Sequence, residues 1–285
     1  MEKFKIAAVQ MNAIKDDLEH NLALHQRFTA EAAAQGCRLV LFPELSTSAH
    51  FGSEEVVRFA ERLPEGRIFQ FIADLARRHS ILVAYGFCEE AHGTHYNTHA
   101  LVGPQGLVGI QRKVHASNNE YFSFRMGRSF EVYDLGFCRV GTLVCYDAQF
   151  SESWRVLTLK EAEVILLPHA SRSGMGQAIP PERQLDQLER MVAALPGDFG
   201  TYAKENGVFA AFANQVDFNG HSTHAGGAYI LSPRGQVLEK LEPVLEDRMI
   251  TAELDPEVLE TARRNPNYTV KIRRPELYGE LTQLI

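Results

Sequence analysis

Cysteine is scarce: only Cys37, Cys88, Cys138 and Cys145 occur in 285 residues. That is too few to staple a chain of this length, and no two show the CxxC spacing of a zinc or redox site. A reducing compartment, the cytoplasm, is therefore expected, and each thiol has to be explained singly. Basic charge is also short, with 29 Lys and Arg against 36 Asp and Glu, and no stretch gathers enough cations to neutralise a run of phosphates. This argues against nucleic acid as a partner. Long apolar runs are missing too: VILLP and VFAAFA fall far below the ~20 residues of a membrane helix. The opening MEKFKIAAVQMN lacks a signal-peptide core, and charges follow at once in KDDLEH. Neither a membrane span nor export is expected.

Several chemistries are excluded by the motifs that are absent. HExxH, GxGxxG, the P-loop and the GxSxG elbow do not occur. His95 and His99 are four apart and His221 and His224 three apart, but the first pair falls in a segment read as strand and no cysteine adjoins either. Neither a metal site nor nucleotide binding is expected. No Ser/Gly or Pro-rich linker and no fixed-period repeat divides the chain, so residues 1–285 are read as one domain.

What is present is an alternation of short apolar runs with helical spacing. KIAAVQM (5–11), the amphipathic stretch 16–36 ending at Gly36, and RLVLFPE (38–44) form a β-α-β opening. A helix over 66–80 precedes strands at 81–87, 98–103 and 107–113, and paired strands follow at 131–136 and 137–145. A helix from Ser151 to Glu161, a buried strand at 163–168, a helix near 182–206 and a strand at 207–214 continue the pattern. Ser-Pro-Arg-Gly marks a hairpin within 228–241. Hairpin connections beside helical crossovers favour two mixed sheets packed face to face over one parallel sheet.

Three chemically versatile residues fall at ends of apolar strands, where α/β sheets collect their ligands. Cys145 stands where a strand hands over to a helix, a place that favours thiolate and leaves the Tyr146 N–H free to bind an oxyanion. Glu44 ends RLVLFPE, and a charge there is costly unless it faces a cleft. Lys113 closes LVGIQRK before the loop VHASNNEYFSFRMG. Taken one at a time, each has a plainer reading: a buried structural thiol, a loop glutamate, a surface lysine.

Together these residues resemble the three signatures of the nitrilase, or carbon–nitrogen hydrolase, superfamily: LFPE with Glu44, RKVH with Lys113 and then Glu120, and CYDAQFSE with Cys145. YNTHALVGPQG, ILLPHAS, ENGVFAAFANQV, GGAYILSPRG and RRPELYG extend the likeness over nearly the whole chain. The resemblance implies a four-layer α-β-β-α sandwich and an amidase-like enzyme without cofactor. Cys145 would be the nucleophile, Glu44 the general base and acid, Lys113 and the Tyr146 backbone N–H the oxyanion donors, and Glu120 a second glutamate positioning lysine and substrate. Its expected substrate is a small linear amide or N-carbamoyl compound, with a nitrile as the alternative. A non-catalytic sandwich in which Cys145 is merely structural is the reading from another class. Homodimers or larger assemblies are implied, with 266–285 as an arm reaching a neighbour.

One departure is Phe150-Ser151-Glu152 where the family commonly has Phe-Pro-Glu. Burial would raise the Glu44 pKa and Lys113 would lower it, and the sequence leaves the sign open. The stretch 171–198 matches no substrate type and is where specificity is expected; Arg172 within it and Arg155 before it are candidates for binding a substrate carboxylate.

Overall fold

The computed structural model describes residues 1–50, 55–175 and 178–283. Its first half runs β1 (Phe4–Gln10), α1 (Leu18–Ala34), β2 (Cys37–Leu41), α2 (Arg67–His79), β3 (Leu82–Ala91), β4 (Thr94–Gly103), β5 (Gly106–Arg112), β6 (Val132–Asp134) and β7 (Arg139–Thr142). The second half continues α3 (Ser151–Leu159), β8 (Val164–His169), β9 (Arg172–Met175), α4 (Pro181–Asn206), β10 (Phe209–Asn214), β11 (Val216–Phe218) and β12 (Ser222–Ala225). It closes with β13 (Ala228–Leu231), β14 (Val237–Lys240), β15 (Arg248–Leu254), α5 (Pro256–Arg264) and α6 (Thr269–Ile272).

Two six-stranded mixed sheets result, ordered β15-β1-β2-β3-β4-β5 and β14-β13-β10-β8-β7-β6, with a small sheet β11-β12-β9 beside them. Side chains alternate across a strand, so an unbroken apolar run feeds two cores at once. In β1, Ala7 and Val9 face the Leu22, Phe28, Ile72 and Leu75 side of α1 and α2, while Ile6 and Ala8 face the second sheet. In β8, Val164 and Leu166 meet the first sheet, and Ile165 and Leu167 meet Trp154 of α3 and Phe199 of α4. Three apolar layers between four layers of structure make the α-β-β-α sandwich that the family resemblance implies. Truncating a fully buried ring such as Phe212 to Ala would cost about 3–5 kcal/mol.

Local signals set the element ends. Asp17 caps α1 by accepting from His20 N–H at 3.0 Å. Gly36, at φ 77°, takes the left-handed position after that helix. The elements not anticipated are β9, β11, β12, β15, α5 and α6. β15 completes the first sheet by pairing antiparallel to β1 from Phe4↔Leu254 to Gln10↔Arg248. Of the long stretch 171–198, β9 and most of α4 are described, and Gly176 and Gln177 lie outside the described residues.

Strand direction explains why distant residues converge. β1, β2 and β3 are parallel; β4 reverses and β5 reverses again, so β2 and β5 end at the same edge. β7, β8 and β10 are parallel in the second sheet, and Cys145 follows β7 just as Glu44 follows β2.

Candidate active site

Glu44 is placed by a backbone loop held on both sides. Its N–H donates to His169 O at 3.3 Å and its carbonyl accepts from Gln215 Nε2 at 2.7 Å. Leu45 and Ala49 have φ of 46° and 65°, a left-handed backbone that costs a non-glycine residue about 1 kcal/mol or more. That turn is tied to Gly86 O, which accepts from Thr47 N and Thr47 Oγ1 at 3.2 and 3.1 Å. Gly86 has to be glycine: a Cβ there would stand 2.2 Å from Leu45 N and 2.9 Å from Glu44 C.

Lys113 continues β5, donating its N–H to Asn97 O at 2.8 Å and accepting from Gly127 N at 2.7 Å. Its Nζ stands 2.7 Å from Glu44 Oε1 and 2.8–2.9 Å from the two oxygens of Glu120. The exposures of Glu44, Lys113 and Glu120 are 1%, 2% and 5%, so this is a buried ionic cluster. Charges so placed persist only when paired and hydrogen-bonded. Glu120 also accepts from Ser117 N and Oγ at 2.7 and 2.8 Å and from His50 Nε2 at 3.0 Å. Asn97 Nδ2 bridges the two carboxylates, 2.8 Å from Glu44 Oε1 and 3.3 Å from Glu120 Oε1.

The charge balance that the sequence left open is now signed. Burial works to raise both carboxyl pKa values, but Lys113 outweighs it, helped by His50, and Glu44 and Glu120 are held below their ordinary range. Burial also disfavours the ammonium, and Glu44, Cys145 and Glu120 together overcome it, so Lys113 is raised and stays charged. One oxygen of Glu44 remains over. Oε1 is occupied by Lys113 and Asn97, whereas Oε2 is buried and has no hydrogen-bond partner among the described residues.

Cys145 opens a 3-10 helix, Cys145–Gln149, with φ 50°. It is the one cysteine of the four that is not fully buried. Its surroundings push the thiol pKa up, first through desolvation, then through Glu44; Lys113 and the Ala170 N–H on its sulfur act in the opposite sense. Desolvation and the two carboxylates outweigh the ammonium at the sulfur, so the cluster opposes a standing thiolate. Tyr146 lies in the first turn, where backbone N–H groups lack intrahelical acceptors. Asp147, fully buried, accepts from Val114 N at 3.1 Å, His115 N at 2.7 Å and His115 Nδ1 at 2.8 Å, tying the cysteine turn to the residues after Lys113.

Glu44, Lys113, Glu120 and Cys145 are thus brought together. Asn97, His50 and Asp147 belong to the same cluster and were not singled out from sequence. Arg155 is placed elsewhere: it donates to Thr269 Oγ1 at 3.2 Å, beside α6. Arg172 lies in β9, opposite His224. Glu44, His50 and Glu120 offer three atoms within 4.8 Å of one another, spacing that could hold a cation. The Lys113 ammonium already sits against both carboxylates there, so a metal ion would have to displace it.

Residues 5–264 match the family model described as carbon–nitrogen hydrolase. A nitrilase of Pyrococcus abyssi is 33% identical over 278 residues, covering 96% of this chain and 98% of its own. An (R)-stereoselective amidase of Pseudomonas sp. is 30% identical over 280 residues, covering 98% and 94%. In three dimensions the chain is similar to an amidase of Nesterenkonia sp. AN1, with TM-score 0.77, 24% identity and 98% and 99% of the two chains covered. Fold, ordered signatures and full-length similarity agree: the protein belongs to the carbon–nitrogen hydrolase family, in its amidase-like branch.

Proposed function

We propose that the protein is a thiol amidohydrolase, with Cys145 as nucleophile and Glu44 as the single proton-transfer group. The observation that supports this best is the unequal use of the Glu44 carboxylate, one oxygen fixed by Lys113 and Asn97 and the other without a partner among the described residues. A structural ion pair would use both oxygens; a general base keeps one lone pair for the incoming proton.

Because Cys145 rests as a thiol, attack and deprotonation go together. The sulfur adds to the substrate carbonyl carbon as its proton passes to Glu44 Oε2, and the carbonyl oxygen becomes an oxyanion. Lys113 Nζ and the Tyr146 N–H receive that oxyanion, preorganised donors in a site closed to water. The C–N bond then breaks as Glu44 returns the proton to nitrogen, releasing ammonia or amine and leaving a thioester. Water adds to the thioester with its proton taken by Glu44, the C–S bond breaks, and the carboxylic acid leaves as Cys145 regains its proton. Glu120 pairs with the same Lys113 ammonium through both of its oxygens and so positions it for the oxyanion.

Small linear amides and N-carbamoyl compounds are the proposed substrates. A nitrile is the second reading, favoured by the similarity to the Pyrococcus abyssi nitrilase. Ammonia release measured across amides, ureido compounds and nitriles separates them: turnover of amides with negligible nitrile hydrolysis supports the first, and the reverse pattern overturns it. We further propose a homo-oligomer joined through the exposed apolar residues Val156 and Leu159 of α3 and Ile272, Leu277 and Leu281 of the tail. Light scattering tests this, and a monomer at micromolar concentration contradicts it.

A further inference from the structure

Ala170 follows β8 and is buried beside the nucleophile, its N–H meeting the Cys145 sulfur. Its neighbours in the chain are held from several sides. His169 O accepts from Glu44 N at 3.3 Å and from Gln215 N at 3.4 Å. Ser171 N donates to Asn214 Oδ1 at 2.9 Å, and Ser171 O accepts from Ala225 N at 2.8 Å. Ala170 O is held by a side chain instead, accepting from His224 Nδ1 at 3.2 Å. With that oxygen gripped and the adjoining peptides fixed, the rotation that would turn the Ala170 N–H away from the sulfur is resisted.

The ring that grips it is set in turn by Asn219. Asn219 is fully buried, and its Oδ1 accepts from His221 N and from Ser222 N, both at 2.9 Å. Those two bonds fix the orientation of the amide, so the atom 3.0 Å from His224 Nε2 is the Nδ2 donor, and Nε2 has to accept. Burial lowers His224 to about 3, helped by the charges of His50 and Arg172, so at neutral pH the ring carries a single N–H. With Nε2 accepting, that hydrogen is on Nδ1 and faces Ala170 O. Around the Cys145 sulfur, desolvation and both carboxylates oppose negative charge, while the Ala170 N–H favours it. A hydrogen bond to an ionised acceptor is stronger than one to a neutral acceptor, so this donor tightens as the sulfur gives up its proton.

We propose that His224 is a positioning residue for the nucleophile: held as its Nδ1–H tautomer by Asn219, it fixes the Ala170 carbonyl and so keeps the Ala170 N–H on the Cys145 sulfur while that sulfur is charged. The proposal rests on the reading of Cys145 as nucleophile. Two near-isosteric variants test it. In H224N the side-chain amide can place an N–H where Nδ1 stands; in H224Q the amide reaches the Nε2 position and Ala170 O loses its donor. Weakening a hydrogen bond to a charged group should cut kcat about tenfold in H224Q, with KM little changed because the donor touches the sulfur. Alkylation of Cys145 by iodoacetamide at pH 7.5 should slow only about threefold, since a more basic sulfur is less often thiolate but a better nucleophile. H224N should retain most of both rates. A ring needed only for packing would not distinguish the two variants, so equal losses, a larger loss in H224N, or no loss in H224Q overturns the proposal. Nitrogen-15 spectra of histidine-labelled wild type give a second reading that requires no variant to fold. The His224 ring should show a protonated Nδ1 and a bare Nε2, and an imidazolium or the Nε2–H tautomer overturns the proposal. Alkylation rates in the expected order, from a protein that turns over no amide, would overturn the amidohydrolase reading and leave His224 its role.

Discussion

The Nζ of Lys113 lies 2.7 Å from Oε1 of Glu44, both side chains being closed off from water, and leaves Oε2 of the same carboxylate without a partner among the described residues. One ammonium thus does two things: it keeps Glu44 ionised and it confines the ionised group to a single working oxygen. Glu120 completes the pairing, its Oε2 lying 2.8 Å from the same ammonium.

Replacing Lys113 by Met should therefore have two separable effects. Loss of an oxyanion donor should lower kcat by about 10²-fold or more. Two buried carboxylates would be left without their cation, destabilising the protein by about 3–5 kcal/mol at neutral pH. Protonation relieves that repulsion, so the deficit in urea unfolding should shrink on acidification. A deficit that does not change between pH 7.5 and 5 contradicts the pairing.

Gly86→Ala tests how Glu44 is placed. The added Cβ would meet Leu45 N at 2.2 Å and Pro43 O at 2.8 Å, backbone atoms that cannot turn aside. Turnover should drop at least about tenfold, since small misplacements of a catalytic group are costly. Gly103→Ala is the control, because its nearest neighbour is a Val108 side-chain atom at 3.4 Å. Equal activity of the two variants would count against a placed carboxylate.

Asp147 joins the two proposed oxyanion donors through the backbone, accepting from Val114 and His115 beyond Lys113 while lying one residue past Tyr146. In Asp147→Asn an amide NH₂ faces N–H donors, leaving a buried group unpaired at about 1–3 kcal/mol. We expect kcat to fall about tenfold with KM little changed. Alkylation of Cys145 by iodoacetamide, which forms no oxyanion, should slow far less. If alkylation and turnover fall together, Asp147 supports the turn as a whole rather than the donors.

Much of this site was legible because three of its members, Glu44, Lys113 and Cys145, follow apolar strands and stand out against their surroundings. Asn97 did not, since β4 begins at Thr94, four residues before the apolar stretch 98–103 that marks it in the sequence. His50 and Asp147 are polar residues in turns, and their significance arises only when Glu120 and the 114–115 backbone are folded against them. β9 and β12 carry Arg, Ser, Gly, Thr and His with no alternation, so nothing in their composition marks a strand. α5 had a usable signal: Asp255 accepts from Glu257 N–H at 2.9 Å and Pro256 takes the first helical position.

Four buried histidines set the acid limit of stability. Burial lowers His25, His99 and His169 to about 4 and His224 to about 3 from an ordinary 6.5. A lowered folded-state pKa means that the unfolded chain binds protons first as pH falls below 6.5. Stability is then lost toward pH 4 at about 1.4 kcal/mol per pH unit for each histidine. Glu44 and Glu120, held low in the fold, extend the loss in the same direction through the carboxylate range. Urea unfolding should give a plateau above pH 7 and a steep decline from pH 6.5 to 5. A flat profile across that window would show that these rings are protonated in the fold.

The central claim is that Cys145 carries the acyl group. Acid-quenched reaction of the wild type with a slowly hydrolysed amide, followed by peptide mass mapping, tests it directly. The account predicts an acyl mass on the peptide containing Cys145, none on those containing Cys37, Cys88 or Cys138, and neither adduct nor ammonia from Cys145→Ala. Ammonia release retained in Cys145→Ala, or the acyl group found on another residue, would contradict it.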